Sequence, residues 1–128
     1  MGRILVGLAA VAITFSLSSP AFAKVETIKG QLIDQSCYKM DKTNTGDKHN
    51  MPKGPMEGCA TTCAKAGRPL ALLTADGKVY EVAGDLAANK NEKLVGHVAH
   101  TIEVTGDVTT AADGAMKIAG DSLKMISK

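Results

Sequence analysis

Hydrophobic and polar residues alternate in short runs along most of the chain, a pattern typical of β-strands. Residues 25–33 are rich in β-branched and apolar side chains and are predicted to form the first strand, with Gly30 marking a bend. The runs at 70–74 and 78–83 flank Asp76 and Gly77, and Asp-Gly between apolar runs predicts a β-hairpin.

The alternation is clearest at residues 101–108, which predicts a half-buried strand. After a turn at 111–114, Met116 and Ile118 continue one face, whereas Leu123 and Met125 lie in the opposite parity. An extra residue would reconcile the two faces, so a β-bulge is predicted near Gly120 and Asp121.

Two segments between these strands are predicted to be short helices. Residues 59–66 are compatible with a helix that ends at Gly67, and residues 86–95 follow Asp85 as a predicted N-cap and precede Gly96. Residues 34–58 are rich in Lys, Asp, Asn, Thr, Gly and Pro and are predicted to be an unusually long loop.

The order of elements predicts the fold class. The chain is mainly β with short helices, and its five predicted strands have a helix between strands 3 and 4. This order is typical of a five-stranded OB-fold-like barrel. Residues 24–128 are expected to form this single domain, with the 34–58 loop as its one long excursion.

The first 23 residues have the features of a secretory signal peptide. Arg3 precedes an apolar run at residues 4–15, and Ala21 and Ala23 provide a small-residue cleavage site. The apolar run is shorter than the roughly 20 residues that a membrane-spanning helix needs. We therefore predict cleavage between Ala23 and Lys24, a periplasmic or secreted bacterial protein, and no membrane span.

Composition argues against nucleic-acid binding. The chain carries 15 Lys and Arg against 13 Asp and Glu, and Arg3 is the only charged residue of the leader. Both phenylalanines also lie in the leader, so the predicted domain has Tyr38 and Tyr80 as its only aromatic residues, apart from histidine, and an aliphatic core. Single-strand binding needs stacked aromatics in a basic groove, which this composition does not supply.

The three cysteines favour a disulfide in an oxidising compartment. We predict that Cys37 is joined to Cys59 or to Cys63, because either bridge ties the first strand to the helix and closes the long loop. By the loop-entropy model such a bridge stabilises the fold by about 3 kcal/mol. One thiol would remain free.

A metal site is the alternative interpretation of the same residues. Cys59 and Cys63 are four residues apart and share one face of a helix, and Cys37 would complete a trio of thiols. His49, Met51 and Met56, together with Met40, lie in the polar loop where apolar side chains have no core to fill. Thiolate, thioether and imidazole favour copper(I), with zinc second.

The pattern of motifs resembles a group of small exported bacterial proteins that have an OB-like barrel and no assigned activity. The resemblance spans nearly all of the predicted domain, and it implies an exported barrel without naming a reaction. It rests on Gly30, Asp34 and Cys37, and on CATTCA at 59–64, GRPLALL at 67–73, DGKVY at 76–80, and VGH and IEVTG within 95–106.

No enzyme class is indicated. The cysteine spacing is C-x-x-x-C, whereas thioredoxin-like redox sites use C-x-x-C in a β-α-β unit, and no nucleophile elbow occurs. His97 and His100 are expected to be solvated. We therefore predict a structural or interaction module of the cell envelope, pinned by a disulfide, with a protein partner that the sequence does not identify. Soft-metal binding is the alternative, and thiol-redox function is a distant third.

Overall fold

In the computed structural model the described residues are 23–128, so the predicted signal peptide and its export function lie outside the described part of the chain. No helix within this part is both long enough and apolar enough to cross a membrane. The elements in chain order are β1 (Lys24–Asp34), α1 (Gln35–Met40), β2 (His49–Met51), β3 (Gly54–Met56), α2 (Cys59–Lys65), β4 (Leu70–Leu73), β5 (Val79–Ala83), α3 (Ala88–Asn91), β6 (Thr101–Thr110) and β7 (Met116–Ser127).

Five of the seven strands form a closed barrel in the order β1-β4-β5-β7-β6. β6 pairs with β1 and so closes it, and β5 and β7 run parallel while the other neighbours are antiparallel. The predicted mainly β fold with a five-stranded OB-fold-like barrel is confirmed. β2 and β3 form a separate two-stranded ribbon outside the barrel.

The predicted hairpin and bulge are both present. Leu72 of β4 lies opposite Tyr80 of β5, and Gly77 has a φ of 84° in the connecting turn, a conformation that favours glycine. In the β6–β7 ladder Thr105 faces Ser122 whereas the next residue, Gly106, faces Gly120. Asp121 is therefore the extra residue that shifts the side-chain parity.

Gly30 lies where β1 changes partners. β1 pairs with β6 from Lys24 to Gln31, and with β4 from Gln31 onward. A Cβ atom at position 30 would lie 2.7 Å from the carbonyl oxygen of Leu73. The predicted bend is thus a close approach of two backbones that only glycine permits.

The barrel interior is filled by aliphatic side chains, as the composition predicts. Tyr80 also belongs to this core and is 8% exposed, so it offers no stacking surface. Ala60 and Ala64 of α2 pack on the same cluster, which places α2 across one end of the barrel. The fully buried members of this cluster in the barrel strands and in the segment after α3 are Leu32, Leu70, Leu72, Leu94, Ile102, Val104 and Ile118.

The prediction of one helix over residues 86–95 is wrong. The segment consists of a 3-10 turn at Gly84–Ala87, the short α3 and a 3-10 turn at Val95–His97. Asn89, Lys90 and Asn91 have φ values of 53°, 56° and 60°, in the left-handed region, which interrupts a regular helix. Asp85 makes no cap, and its Oδ2 accepts from Lys93 Nζ at 2.8 Å instead.

Much of the predicted 34–58 loop has regular structure. It contains α1 and the β2–β3 ribbon, in which His49 pairs with Met56 and Met51 with Gly54. The polar side chains of this segment cap helices and bridge turns. Helix α1 contacts β1 and β4, and α2 contacts β1. We call residues 35–65, which contain both helices and the ribbon, the cap.

Candidate metal centre

Asp34 joins the barrel to the cap at the point where β1 ends and α1 begins. Its Oδ1 accepts hydrogen bonds from the backbone N–H groups of Ser36 at 2.9 Å and Cys37 at 3.1 Å, which is N-cap geometry. The side chain is fully buried, and its second oxygen, Oδ2, has no hydrogen-bond partner. The cap interaction fixes Cys37 in the first turn of α1, beside this free oxygen.

Helix α2 carries the other two cysteines. Asp47, in the loop before β2, holds the first turn of α2 by two hydrogen bonds. Its backbone carbonyl accepts from Ala60 N–H at 3.2 Å, and its Oδ1 accepts from Thr61 N–H at 2.8 Å. Cys59 and Cys63 are one helical turn apart and therefore lie on the same face. This face adjoins the one on which Ala60 and Ala64 pack against the barrel core.

The C-terminal end of α2 is fixed by a Schellman motif and by a distant side chain. Gly67 N–H donates to the Ala64 carbonyl at 2.9 Å, and Arg68 N–H donates to the Cys63 carbonyl at 3.1 Å. Asn91 adds donations from its Nδ2 to the carbonyls of Ala64 at 3.0 Å and Arg68 at 2.8 Å. The left-handed turn at 89–91 thus positions a buried amide against the helix that carries Cys59 and Cys63.

His49 enters the site from β2. The loop before it is held by the buried Asn44, whose Nδ2 donates to the Cys37 carbonyl at 3.3 Å and whose Oδ1 accepts from Asn50 N–H at 2.8 Å. His49 is fully buried, and its Nε2 lies 2.9 Å from the Gly46 carbonyl. Because a carbonyl only accepts, Nε2 carries the proton and Nδ1 is left with a free lone pair. Nδ1 is buried without a partner.

These side chains converge on Cys37. The sulfur atoms of Cys37, Cys59 and Cys63 all lie within 4.8 Å of one another. A carboxylate oxygen of Asp34, the Cys37 sulfur and a ring nitrogen of His49 form a second group with the same spacing. The two groups share Cys37, and the grouping could hold a metal ion.

The electrostatics of the site favour the protonated thiols of Cys37 and Cys63 in the metal-free protein. Burial, followed by the charge of the adjacent Asp34 carboxylate, raises the pKa of Cys37 from 9.0 to about 12. Burial and then Asp34 likewise raise the pKa of Cys63 to about 11. Thiolates are therefore disfavoured here unless a cation enters.

The predicted thioether ligands are not part of this buried group of side chains. Met40 is 68% exposed and Met56 is 45% exposed. Met51 is half-buried and lines a shallow surface groove together with Pro52 and Pro55. Of the residues predicted to bind metal, the structure thus brings together Cys37, Cys59, Cys63 and His49.

All three cysteines are free thiols in the structure, so it does not show the predicted disulfide. The bridge from Cys37 to Cys59 or Cys63 stays a prediction. Geometry restricts which bridges could form. Positions i and i+4 of a helix place their Cβ atoms about 5–6 Å apart, whereas a disulfide needs about 3.5–4.5 Å. A bridge between Cys59 and Cys63 is disfavoured on this ground, and a bridge from Cys37 to either is not.

Two contributors to the site are absent from the sequence-based prediction. Asp34 could be found from its position three residues before Cys37, which is the spacing of an N-cap to the third helical residue. Asn91 has no comparable signal, because its role depends on a left-handed turn and on contacts 23 and 27 residues away. Sequence periodicity does not report such contacts.

His97 and His100 differ from the prediction that they are solvated. Both are half-buried, and their rings meet edge to face with centroids 6.3 Å apart. The 3-10 turn at Val95–His97 brings them together. They lie outside the two groups that converge on Cys37.

No protein-family model matches the chain, and a comparison with curated proteins found no match. The resemblance to small exported bacterial barrels therefore remains a prediction. The functional argument rests on the geometry of the site.

Proposed function

We propose that the protein is an exported bacterial barrel that binds one metal ion, preferentially zinc, through Cys37, Cys59, Cys63 and His49, with Asp34 beside them. The convergence of the cysteines favours this alternative over the structural or interaction module. Among the described residues, the exposed large apolar side chains, which a module would use to dock, are Val25, the consecutive Met125 and Ile126, and the two methionines of the cap. Single exposed apolar residues are normal on a protein surface.

The observation that carries the proposal is a pair of buried polar atoms without partners at the same place. Asp34 Oδ2 and His49 Nδ1 are both buried and unpaired, and Asp34 and His49 each offer one ligand atom to the group that includes Cys37. An unsatisfied buried polar group costs about 1–3 kcal/mol, and such groups in native proteins are accounted for by a function or by a bound water or ion. One cation between the two atoms would satisfy both.

The absence of a positive partner for Asp34 points in the same direction. The ion pairs among residues 23–128 are formed by other carboxylates, and none includes Asp34. Buried carboxylates ordinarily pair with a cation or coordinate a metal. The backbone N–H groups on Oδ1 and the Gly46 carbonyl on His49 Nε2 are the kind of outer contacts that orient metal ligands.

The donor set favours zinc over copper(I), the other metal of the sequence analysis. Three cysteines with one histidine form a common tetrahedral set for zinc. The methionines that would favour copper(I) are exposed or lie at the surface. A divalent ion also offsets twice as much of the negative charge that the thiolates and Asp34 bring into a buried site.

The test is a titration of the reduced protein under anaerobic conditions with cobalt(II), zinc and copper(I). We expect one cobalt ion per chain with sulfur-to-metal charge-transfer bands, and displacement of cobalt by zinc. Competition with a chelator of known affinity then gives the zinc affinity. Absence of stoichiometric binding would contradict the proposal.

Matched variants locate the site. His49→Ala and Asp34→Asn should weaken zinc binding, and Asp34→Asn keeps an oxygen for the N-cap. His97→Ala and Asp113→Asn are the controls of the same residue type and should leave binding unchanged. If Met56→Leu weakens copper(I) binding and copper(I) displaces zinc, the copper alternative replaces zinc.

A further inference from the structure

We propose that oxidation of the cysteines controls metal binding, an inference that rests on the proposed metal site. Cys63 exchanges with an external low-molecular-weight disulfide. Cys37 then forms an intramolecular bridge to Cys63, and this bridge displaces the metal. The two interpretations of the cysteines in the sequence thereby become two states of one cluster. Each state uses the same sulfur atoms, so the states exclude each other.

Accessibility identifies the sulfur that reacts first. Cys37 and Cys59 are 5% and 3% exposed, whereas Cys63 is half-buried. Thiol–disulfide exchange requires direct contact between the attacking sulfur and the incoming disulfide. Cys63 is the most exposed residue of the trio, so we assign to it the first contact with solvent-borne reagents.

Helix geometry identifies the second sulfur. Cys59 lies one turn from Cys63 on α2, where the Cβ spacing exceeds that of a disulfide. Cys37 lies on α1, and its sulfur is within 4.8 Å of the Cys63 sulfur. A bond of about 2.05 Å requires these two atoms to approach by less than about 3 Å, which a shift of the six-residue α1 can supply.

Two successive exchange steps form the bridge. The Cys63 thiolate attacks one sulfur of the external disulfide R–S–S–R, which forms a mixed disulfide at Cys63 and releases one RS⁻. The Cys37 thiolate attacks the Cys63 sulfur, forms the Cys37–Cys63 bond and releases the second RS⁻. Two cysteines are oxidised, R–S–S–R is reduced to two thiols that take protons from solvent, and the zinc ion leaves without changing its oxidation state.

Loss of two of the three sulfurs should release the metal. A thiolate ligates, whereas a disulfide sulfur has no charge to offer. Cys59, His49 and Asp34 remain, so the fall in zinc affinity should exceed the roughly 10- to 100-fold change that loss of an outer-shell contact causes. Reduction of the bridge should restore binding.

The experiment treats the zinc-loaded, reduced protein with glutathione disulfide. A chromogenic chelator follows zinc release, and mass spectrometry of peptides maps the bridges. We expect zinc release in step with a Cys37–Cys63 bridge, an unmodified Cys59, and rebinding of zinc after dithiothreitol. Circular dichroism should show the barrel unchanged throughout.

Three serine variants separate the roles. Cys37→Ser should accumulate a glutathione adduct at Cys63, because the resolving thiol is missing. Cys63→Ser should form neither the adduct nor the bridge. Cys59→Ser is the matched control from the same helix and should still form the Cys37–Cys63 bridge.

The possible failures are distinguishable. A reduced protein that binds no zinc overturns the proposed function, and this is seen before any oxidant is added. Zinc that binds but stays bound once the bridge has formed overturns only the control of binding by oxidation, as does a bridge that includes Cys59 or an adduct confined to Cys59.

Discussion

The barrel and the cap are built by different interactions. The barrel interior holds aliphatic side chains such as Leu72 and Ile102, both fully buried. The buried polar side chains of the described chain gather at the cap instead: Gln35, Asn44 and His49 lie within it, and Asp34 and Asn91 hold its two helices. The barrel therefore serves as a scaffold, and the cap is where directional contacts place chemistry.

The difference follows from the physics of the two kinds of contact. Burial of apolar surface stabilises a fold without specifying direction, so a barrel core tolerates many aliphatic sequences. Buried polar groups are costly unless each finds its partner, so the cap has few acceptable arrangements. Asp34 Oδ2 and His49 Nδ1 find no hydrogen-bond partner among the described residues, and both residues belong to the group that includes Cys37.

Removal of Cys37 should separate the two regions most sharply. Because Cys37 belongs to both ligand groups, Cys37→Ala should abolish stoichiometric zinc binding, with a fall in affinity above about 100-fold. The barrel should keep its far-ultraviolet circular dichroism, since Cys37 lies outside the aliphatic core. Zinc titration and circular dichroism on the same sample check this. Loss of the barrel signal would show that the two regions fold as one unit.

A substitution in the barrel core should have the opposite effect, lowering stability without changing zinc binding. Leu72→Ala deletes a fully buried side chain and should lower the free energy of unfolding by about 2–5 kcal/mol. Zinc affinity of the folded fraction should be unchanged, because Leu72 contributes nothing to the cluster. Urea unfolding and zinc titration are the measurements. A large loss of zinc affinity in protein that is still folded would contradict the separation.

Asn91 connects the regions and should affect both moderately. Asn91→Gly suits the φ of 60° but removes two hydrogen bonds to the end of α2, which should cost about 1–3 kcal/mol in stability. Zinc affinity should fall by up to about 10- to 100-fold as α2 loses its fixed position. The control is Asn89→Gly, an exposed residue of the same turn with a φ of 53°. Equal effects of the two substitutions would contradict a positioning role for Asn91.

The last prediction concerns how the free energy of unfolding of the metal-free protein depends on pH. The folded state raises the pKa of Cys37 from 9.0 to about 12 and that of Cys63 to about 11. This contribution to stability is fully present below pH 9.0 and is lost as pH rises through 11 and 12. Zinc affinity should change in the opposite direction, because protons compete with the metal for the thiolates.

Urea unfolding of metal-free protein between about pH 8 and pH 11 tests this sign. The double variant Cys37→Ala with Cys63→Ala is the control, since it retains every other titrating group. A difference between the two proteins that grows in favour of the native sequence with rising pH would contradict the prediction.

The barrel was predictable because its signals are local. Alternation at residues 101–108, Asp76-Gly77 and the parity change at Gly120 each reflect a rule that acts over a few residues. For residues 34–58, the polar composition predicted only a long loop, and the helix α1 and the β2–β3 ribbon were missed. The turns of the cap depend on side chains that cap helices elsewhere in the chain, such as Asp47 on α2 and Asn44 on α1.

The candidate site shows the same division. The cysteines and His49 could be identified by residue type, since few other side chains bind soft metals. Residue type also indicated Met51 and Met56, whose exposure depends on the register of the β2–β3 ribbon. The predicted helix at 86–95 was wrong because a left-handed turn there places Asn91 on α2, and that contact outweighs local helix preference.

The pairing of β1 with β6 governs the order in which this chain can fold. Gln31 pairs with Thr101 and Lys24 with Val108, so the first strand finds its edge partner only after most of the chain exists. Closing so long a loop is slow and is rewarded only when the whole ladder forms. A chain that stops before residue 101 therefore lacks the strand that closes the barrel, and closure begins only when residues 101–108 are available to pair.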